Sequence, residues 1–81
     1  MESEYINIEY MGENVEILRY LTESQNQFNA RIDFIRKVEK DKVDWTEANR
    51  LSVLWHCIIY KKCKYSSEIY NKIMSYEKIK N

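Results

Sequence analysis

Hydrophobic and polar positions along the chain change their period near residue 12. In MESEYINIEYMG, Ile6, Ile8 and Tyr10 alternate with Tyr5, Asn7 and Glu9. Alternation suits a short, half-covered strand, although the same residues could wind into a helical turn or two. We read residues 1–12 as an N-terminal arm closed by Gly12. An extended arm of this kind can add to a partner's sheet edge.

From Glu13 the spacing becomes helical. Leu18, Leu21, Gln25, Phe28, Ile32 and Ile35 follow one another at intervals of three, four, three, four and three. This is an a/d seam interrupted by Gln25, and a polar seam residue can fix register or oligomeric state. It predicts a long helix over about residues 13–39, packed within the chain or in a coiled coil. The charged stretch KVEKDKVDW then breaks the pattern. Asp44 followed by Glu47 matches an N-cap with an acid at N3, and Val43 is placed to pack back as a staple.

A second helix is predicted over about 45–63. Ala48, Leu51, Leu54, Trp55, Ile58 and Ile59 share one face, while Val53, Cys57 and Tyr60 fall opposite. A helix apolar nearly all round is covered on more than one side, by its own domain or by a second copy. Ser66 is a plausible N-cap for a third helix over about 67–79, with a stripe of Ile69, Tyr70, Ile73, Met74 and Tyr76. The expected fold is therefore all-α: a single three-helix domain over residues 13–81 behind the short arm.

Composition supports that expectation. One glycine and no proline in 81 residues leave few of the turn residues that strand-rich domains use. They also exclude a glycine-rich phosphate loop. Thirteen acidic residues balance thirteen basic ones, which argues against a generally basic nucleic-acid coat. The charge is uneven, however. Six glutamates against Arg19 make residues 1–25 acidic, and six lysines against Glu68 and Glu77 make residues 57–81 basic. Two antiparallel copies would bring opposite ends together, and the basic end suits an anionic ligand. With no membrane-length apolar run and an acidic start, a cytosolic chain with reduced thiols is expected, in the producing or an infected cell.

The stretch WHCIIYKKCKY, residues 55–65, gathers the chemistry-bearing side chains. On one unbroken helix Cys57 and Cys63 would point about 120° apart and rise about 9 Å, which forbids a shared metal or a disulfide. His56 and Cys63 are half a zinc site, with no other His or Cys outside the stretch. Neither cysteine sits at a helix N-terminus beside a base, as a catalytic thiol would. We therefore expect no metal, cofactor or catalytic centre, and cysteines that serve as packing residues. His56 remains a potential pH-sensitive contact.

Seven tyrosines and two tryptophans in so short a chain exceed what its core can hold, and such residues favour interfaces. The leading expectation is a small non-enzymatic interaction protein that binds and inhibits or modulates a larger host protein. Trp55, Tyr60, Tyr65 and Tyr70 are the expected contacts. Residue usage rich in Lys, Ile, Asn and Tyr hints at a phage or mobile-element accessory protein. The alternative is binding of nucleic acid or a nucleotide through Lys61, Lys62, Lys64 and Lys72, with aromatic side chains interleaved. That alternative would be a helix-turn-helix-like regulator, with Ser66, Ser67, Asn71, Lys72 and Ser75 facing a groove, or an oligomer that sequesters a ligand. No arginine occurs in residues 51–81, which weakens the groove reading.

Overall fold

The alternation that begins at Tyr5 does not end at Gly12. In the computed structural model, which describes residues 4–77, it continues through Val15 and Ile17 to build a second strand. Strand β1 spans Glu4–Tyr10 and β2 spans Glu13–Arg19, antiparallel, with pairs running from Glu4↔Arg19 to Tyr10↔Glu13. Met11 and Gly12 join them at φ 50° and 83°. Two consecutive positive φ angles are the tight hairpin turn whose twist matches the strands on either side. Ile6 faces Ile17 and Ile8 faces Val15 on the covered side, while Asn7, Glu9, Asn14 and Glu16 face out.

Three helices follow: α1 Gln25–Lys40, α2 Trp45–Tyr60 and α3 Ser67–Glu77. The fold is therefore α+β, and the all-α helical-bundle expectation is corrected. The predicted helix over 13–39 splits into strand β2, a turn and α1. The first half of its seam was fortuitous, whereas Phe28, Ile32 and Ile35 do pack into the core from α1. Leu18 lies across from Tyr5 on the hairpin's outer face, Leu21 is 57% exposed in the turn, and Gln25 begins the helix at the surface. The true start is set by Ser24, whose hydroxyl accepts from the Gln27 amide at 3.1 Å while the Gln27 side chain accepts from the Ser24 amide at 3.2 Å. This reciprocal capping box satisfies two orphan N–H groups of the first turn.

Helix α2 begins where its cap predicts, the Asp44 carboxylate accepting from the Glu47 amide at 2.9 Å. It ends three residues earlier than expected. Ser66 caps α3, its hydroxyl accepting from the Ile69 amide at 3.3 Å. The expected last turn of α3 at 78–79 lies outside the described residues.

The core forms where α1, α2 and α3 meet under the hairpin. Phe34, Ile35 and Val38 of α1 face Ala48, Leu51, Trp55 and Ile58 of α2, with Ile73 and Tyr76 of α3 and Tyr10 and Ile17 of the hairpin. Phe34 stacks on Trp55 at 5.3 Å between ring centres and meets Tyr76 edge-on at 5.9 Å. Each large side chain removed from water here contributes about 1.5–3 kcal/mol. Polar tips reach outward to partners: the Trp55 indole donates to Glu77 at 3.0 Å, Tyr76 to Asp41 at 3.1 Å, and the Tyr10 hydroxyl to the Val43 carbonyl.

Helix α1 also holds the hairpin by its free edges. In a two-residue hairpin the pair flanking the turn is hydrogen-bonded, so alternate residues such as Glu9 and Leu18 aim their backbone groups outward. Arg36 donates to the Glu9 carbonyl, Glu39 accepts from the Met11 amide at 2.7 Å, and Arg31 donates to the Leu18 carbonyl. One helix thus grips β1 near the turn and β2 near its exit.

A methyl group added at Gly12 would meet nothing within 4 Å, so the cost of Gly12→Ala is conformational. Chemical denaturation of that variant is expected to show a loss of about 1–2 kcal/mol, the penalty of an L residue in left-handed backbone.

Candidate functional site at the end of helix α2

The sequence-selected residues converge on the turn between α2 and α3. Helix α2 stops when Lys61 donates its amide to the Cys57 carbonyl at 3.1 Å and Lys62 takes φ 58°. The chain then folds back, and the Cys63 amide reaches the same carbonyl at 3.1 Å. Residues 60–68 are exposed throughout. Lys61, Lys62 and Lys64 project from this turn, and among the described residues no carboxylate forms a salt bridge with them. Tyr60, Tyr65 and Tyr70 are 36%, 38% and 47% exposed, which leaves each with free apolar area beside a polar tip.

Two of the sequence-selected residues stand elsewhere. Trp55 is a core residue, 5% exposed, stacked on Phe34 and hydrogen-bonded to Glu77, so it supports the surface from below and does not form it. Tyr60 rests edge-on against it at 5.7 Å. Lys72 lies toward the opposite end of α2, where its charge helps hold the Glu47 carboxyl below its usual range; the larger cause is the Arg50 hydrogen bond. Glu47 and Lys61 are separated by about 21 Å of helix rise, so Lys72 does not join the other three lysines in one cluster.

Beneath Tyr60 lies a polar group that sequence reasoning missed. Its ring meets His56 at 5.4 Å, and His56 meets Tyr20 at 5.6 Å. Behind them Glu23 and Arg31 form an ion pair with side chains 0% and 1% exposed. Arg31 donates to both Glu23 oxygens, at 2.8 and 3.0 Å, and its guanidinium lies 4.7 Å from the Tyr20 ring centre. Glu23 also accepts from the Tyr20 amide at 3.2 Å, and the Arg19 guanidinium donates to the Glu23 backbone carbonyl at 3.0 Å. The signal was present in the spacing: Phe28, Arg31, Ile35 and Val38 form one three-four-three series, and a cation inside an apolar stripe requires a buried partner.

The His56 Nδ1 lies 3.5 Å from Glu23 Oε2 and makes no hydrogen bond. Burial is the main cause that pushes the imidazole pKa down from 6.5; Glu23 opposes the shift, while Arg31 and Lys61 add to it. A second cation beside Glu23 would compete with Arg31 for one carboxylate.

Surface hollows lie away from this region. One of about 190 Å³ is lined by Tyr10, Met11, Glu13, Asp44 and Trp45, and one of about 310 Å³ by Asp33, Arg36, Lys37 and Lys40. Among the described residues no three His, Cys, Asp or Glu side chains converge as a metal site, and no helix is long and apolar enough to cross a membrane. Comparison with known proteins finds no matching family model, curated protein or solved structure.

Glu23→Gln leaves Arg31 as an uncompensated buried charge and is expected to cost about 3–5 kcal/mol in urea unfolding. Replacing both partners, Glu23→Leu with Arg31→Met, should recover most of that loss. Because the folded state holds His56 below its unfolded value of 6.5, the unfolded chain binds the extra proton first. Stability is therefore full above pH 6.5 and declines as pH falls from there toward the depressed folded value. Urea midpoints measured across pH 5–7 should show this slope, and His56→Gln should flatten it.

Proposed function

We propose that this chain is a small non-enzymatic interaction protein that binds a larger host protein and inhibits or modulates it. The observation that carries the reading is the exposure of Tyr60, Tyr65 and Tyr70 around the end of α2. The core beneath is already filled by Trp55, Phe34 and Tyr76, so these rings are not needed to complete it. Tyrosine gives a large rigid contact with a polar rim at low entropic cost, which is how a small surface reaches useful affinity. The contact set is Tyr60, Tyr65 and Tyr70, with Trp55 as the support under Tyr60. A second copy of the chain is also a partner that this surface suits.

A second reading, an anionic ligand such as nucleic acid or a nucleotide, draws on Lys61, Lys62 and Lys64, exposed and without a salt-bridged carboxylate among the described residues. The two differ in their response to salt. Three phosphate contacts predict a slope of about −2.7 in log affinity against log salt, so binding weakens about fortyfold between 50 and 200 mM.

The test is capture of partners from host extract by the tagged protein, followed by titration of the partner captured. Tyr65→Ala with Tyr70→Ala is expected to weaken binding at least about tenfold, with little salt dependence. If Lys61→Ala with Lys64→Ala abolishes binding instead, and salt does the same, the ligand is anionic and the protein-partner reading fails.

A further inference from the structure

The end of α2 brings the backbone of its two cysteines together. Along an unbroken helix they would be separated by about 9 Å of rise. The helix stops at Tyr60, Lys62 adopts φ 58°, and the Cys63 amide donates to the Cys57 carbonyl at 3.1 Å. A backbone hydrogen bond of that length holds the two α-carbons roughly 6 Å apart. Disulfides bridge α-carbon separations of about 4.4–6.8 Å, so the backbone already has the spacing a bridge needs. Cys63 is exposed and Cys57 partly buried, and both are free thiols. The Tyr65 phenol pKa is pushed up, chiefly by the Cys57 thiol, with Cys63 adding a smaller electrostatic effect.

We propose that Cys57 and Cys63 form a redox-active pair that closes to an intrachain disulfide when a hydroperoxide oxidises it. The exposed Cys63 sulfur attacks one peroxide oxygen. The O–O bond breaks, the other oxygen leaves as water with the thiol's proton, and Cys63 becomes a sulfenic acid. The Cys57 sulfur then attacks the Cys63 sulfur, the S–O bond breaks, and the hydroxide leaves with the Cys57 proton as a second water. Two thiols lose two electrons, and one hydrogen peroxide gains them. The bridge replaces a hydrogen-bonded turn with a covalent one, fixing the backbone that carries Lys61, Lys62, Lys64 and Tyr65. This chemistry goes beyond the partner reading and does not depend on it.

The experiment uses the full-length reduced chain at low micromolar concentration with one equivalent of hydrogen peroxide. After alkylation, intact mass is read under denaturing, non-reducing conditions. The expected product is a monomer about 2 Da lighter with no alkylatable thiol, linked peptides containing Cys57 and Cys63, and full reversal by dithiothreitol. Cys63→Ser, at an exposed position, should give no such product. Because a flexible chain can also close a short loop, the same pair is equilibrated against a glutathione redox buffer with and without denaturing urea. The folded chain is expected to favour the bridge at least about tenfold over the unfolded one. A covalent dimer as the main product, oxygen addition without bridging, or an equilibrium no better in the folded chain would overturn the proposal.

Discussion

The buried pair of Glu23 and Arg31 joins the hairpin to the helical layer at the point where the chain passes from one to the other. Glu23 sits in the turn that leaves β2, and Arg31 sits in the middle of α1. Their bidentate contact fixes where the hairpin stops and the helical layer begins. Arg31 is also bound to the Leu18 carbonyl, and Arg19 to the Glu23 carbonyl, so backbone and side chains of the junction form one network. A network of this kind contributes through what its loss would leave unpaired, more than through net attraction. Its hydrogen bonds are made with the hairpin exit held against the middle of α1.

That arrangement matters because a two-stranded hairpin is marginal by itself. Ile6, Ile8 and Val15 are only half-buried, and Tyr10 and Ile17 are the two hairpin residues fully committed to the core. The remaining hold on the hairpin is polar: Arg36 and Glu39 at the turn end of β1, and Arg31 at the exit end of β2. The same contacts occupy backbone groups on the sheet's open edges, which otherwise invite pairing with another chain.

The ends of α2 divide the labour differently. Its first turn is acidic, capped by Asp44 and carrying Glu47, which pairs with Arg50. Its last turn and the loop that follows bring Tyr60, Tyr65, three lysines and both cysteines within nine residues, above the ring series Tyr60–His56–Tyr20 that leads down to the buried ion pair. A contact made at Tyr60 therefore presses on Trp55 and His56 directly, and any change in the charge of His56 lies one ring away from the surface.

The starts of the last two helices were legible in the residues alone. The caps at Asp44 and Ser66 are local signals, decided by which side chain can satisfy a neighbouring amide, and they placed the starts of α2 and α3 correctly. The alternation of Ile6, Ile8 and Tyr10 suited a strand but left a helical turn or an unpaired arm equally open, and the pairing with β2 decides it. Residues 13–24 were misread because Leu18, Leu21 and Phe28 satisfy a helical spacing while Val15 and Ile17 satisfy a strand spacing. The Ser24–Gln27 capping box is a local mark of where α1 starts, but nothing local makes residues 13–19 a strand. The choice is made by pairing with β1 across the Met11–Gly12 turn, a contact between distant backbone groups. The partner of Arg31 and the approach of Cys63 to Cys57 were likewise settled only in three dimensions. Each depends on where a chain turns back on itself, and that is decided by the packing of the elements on either side.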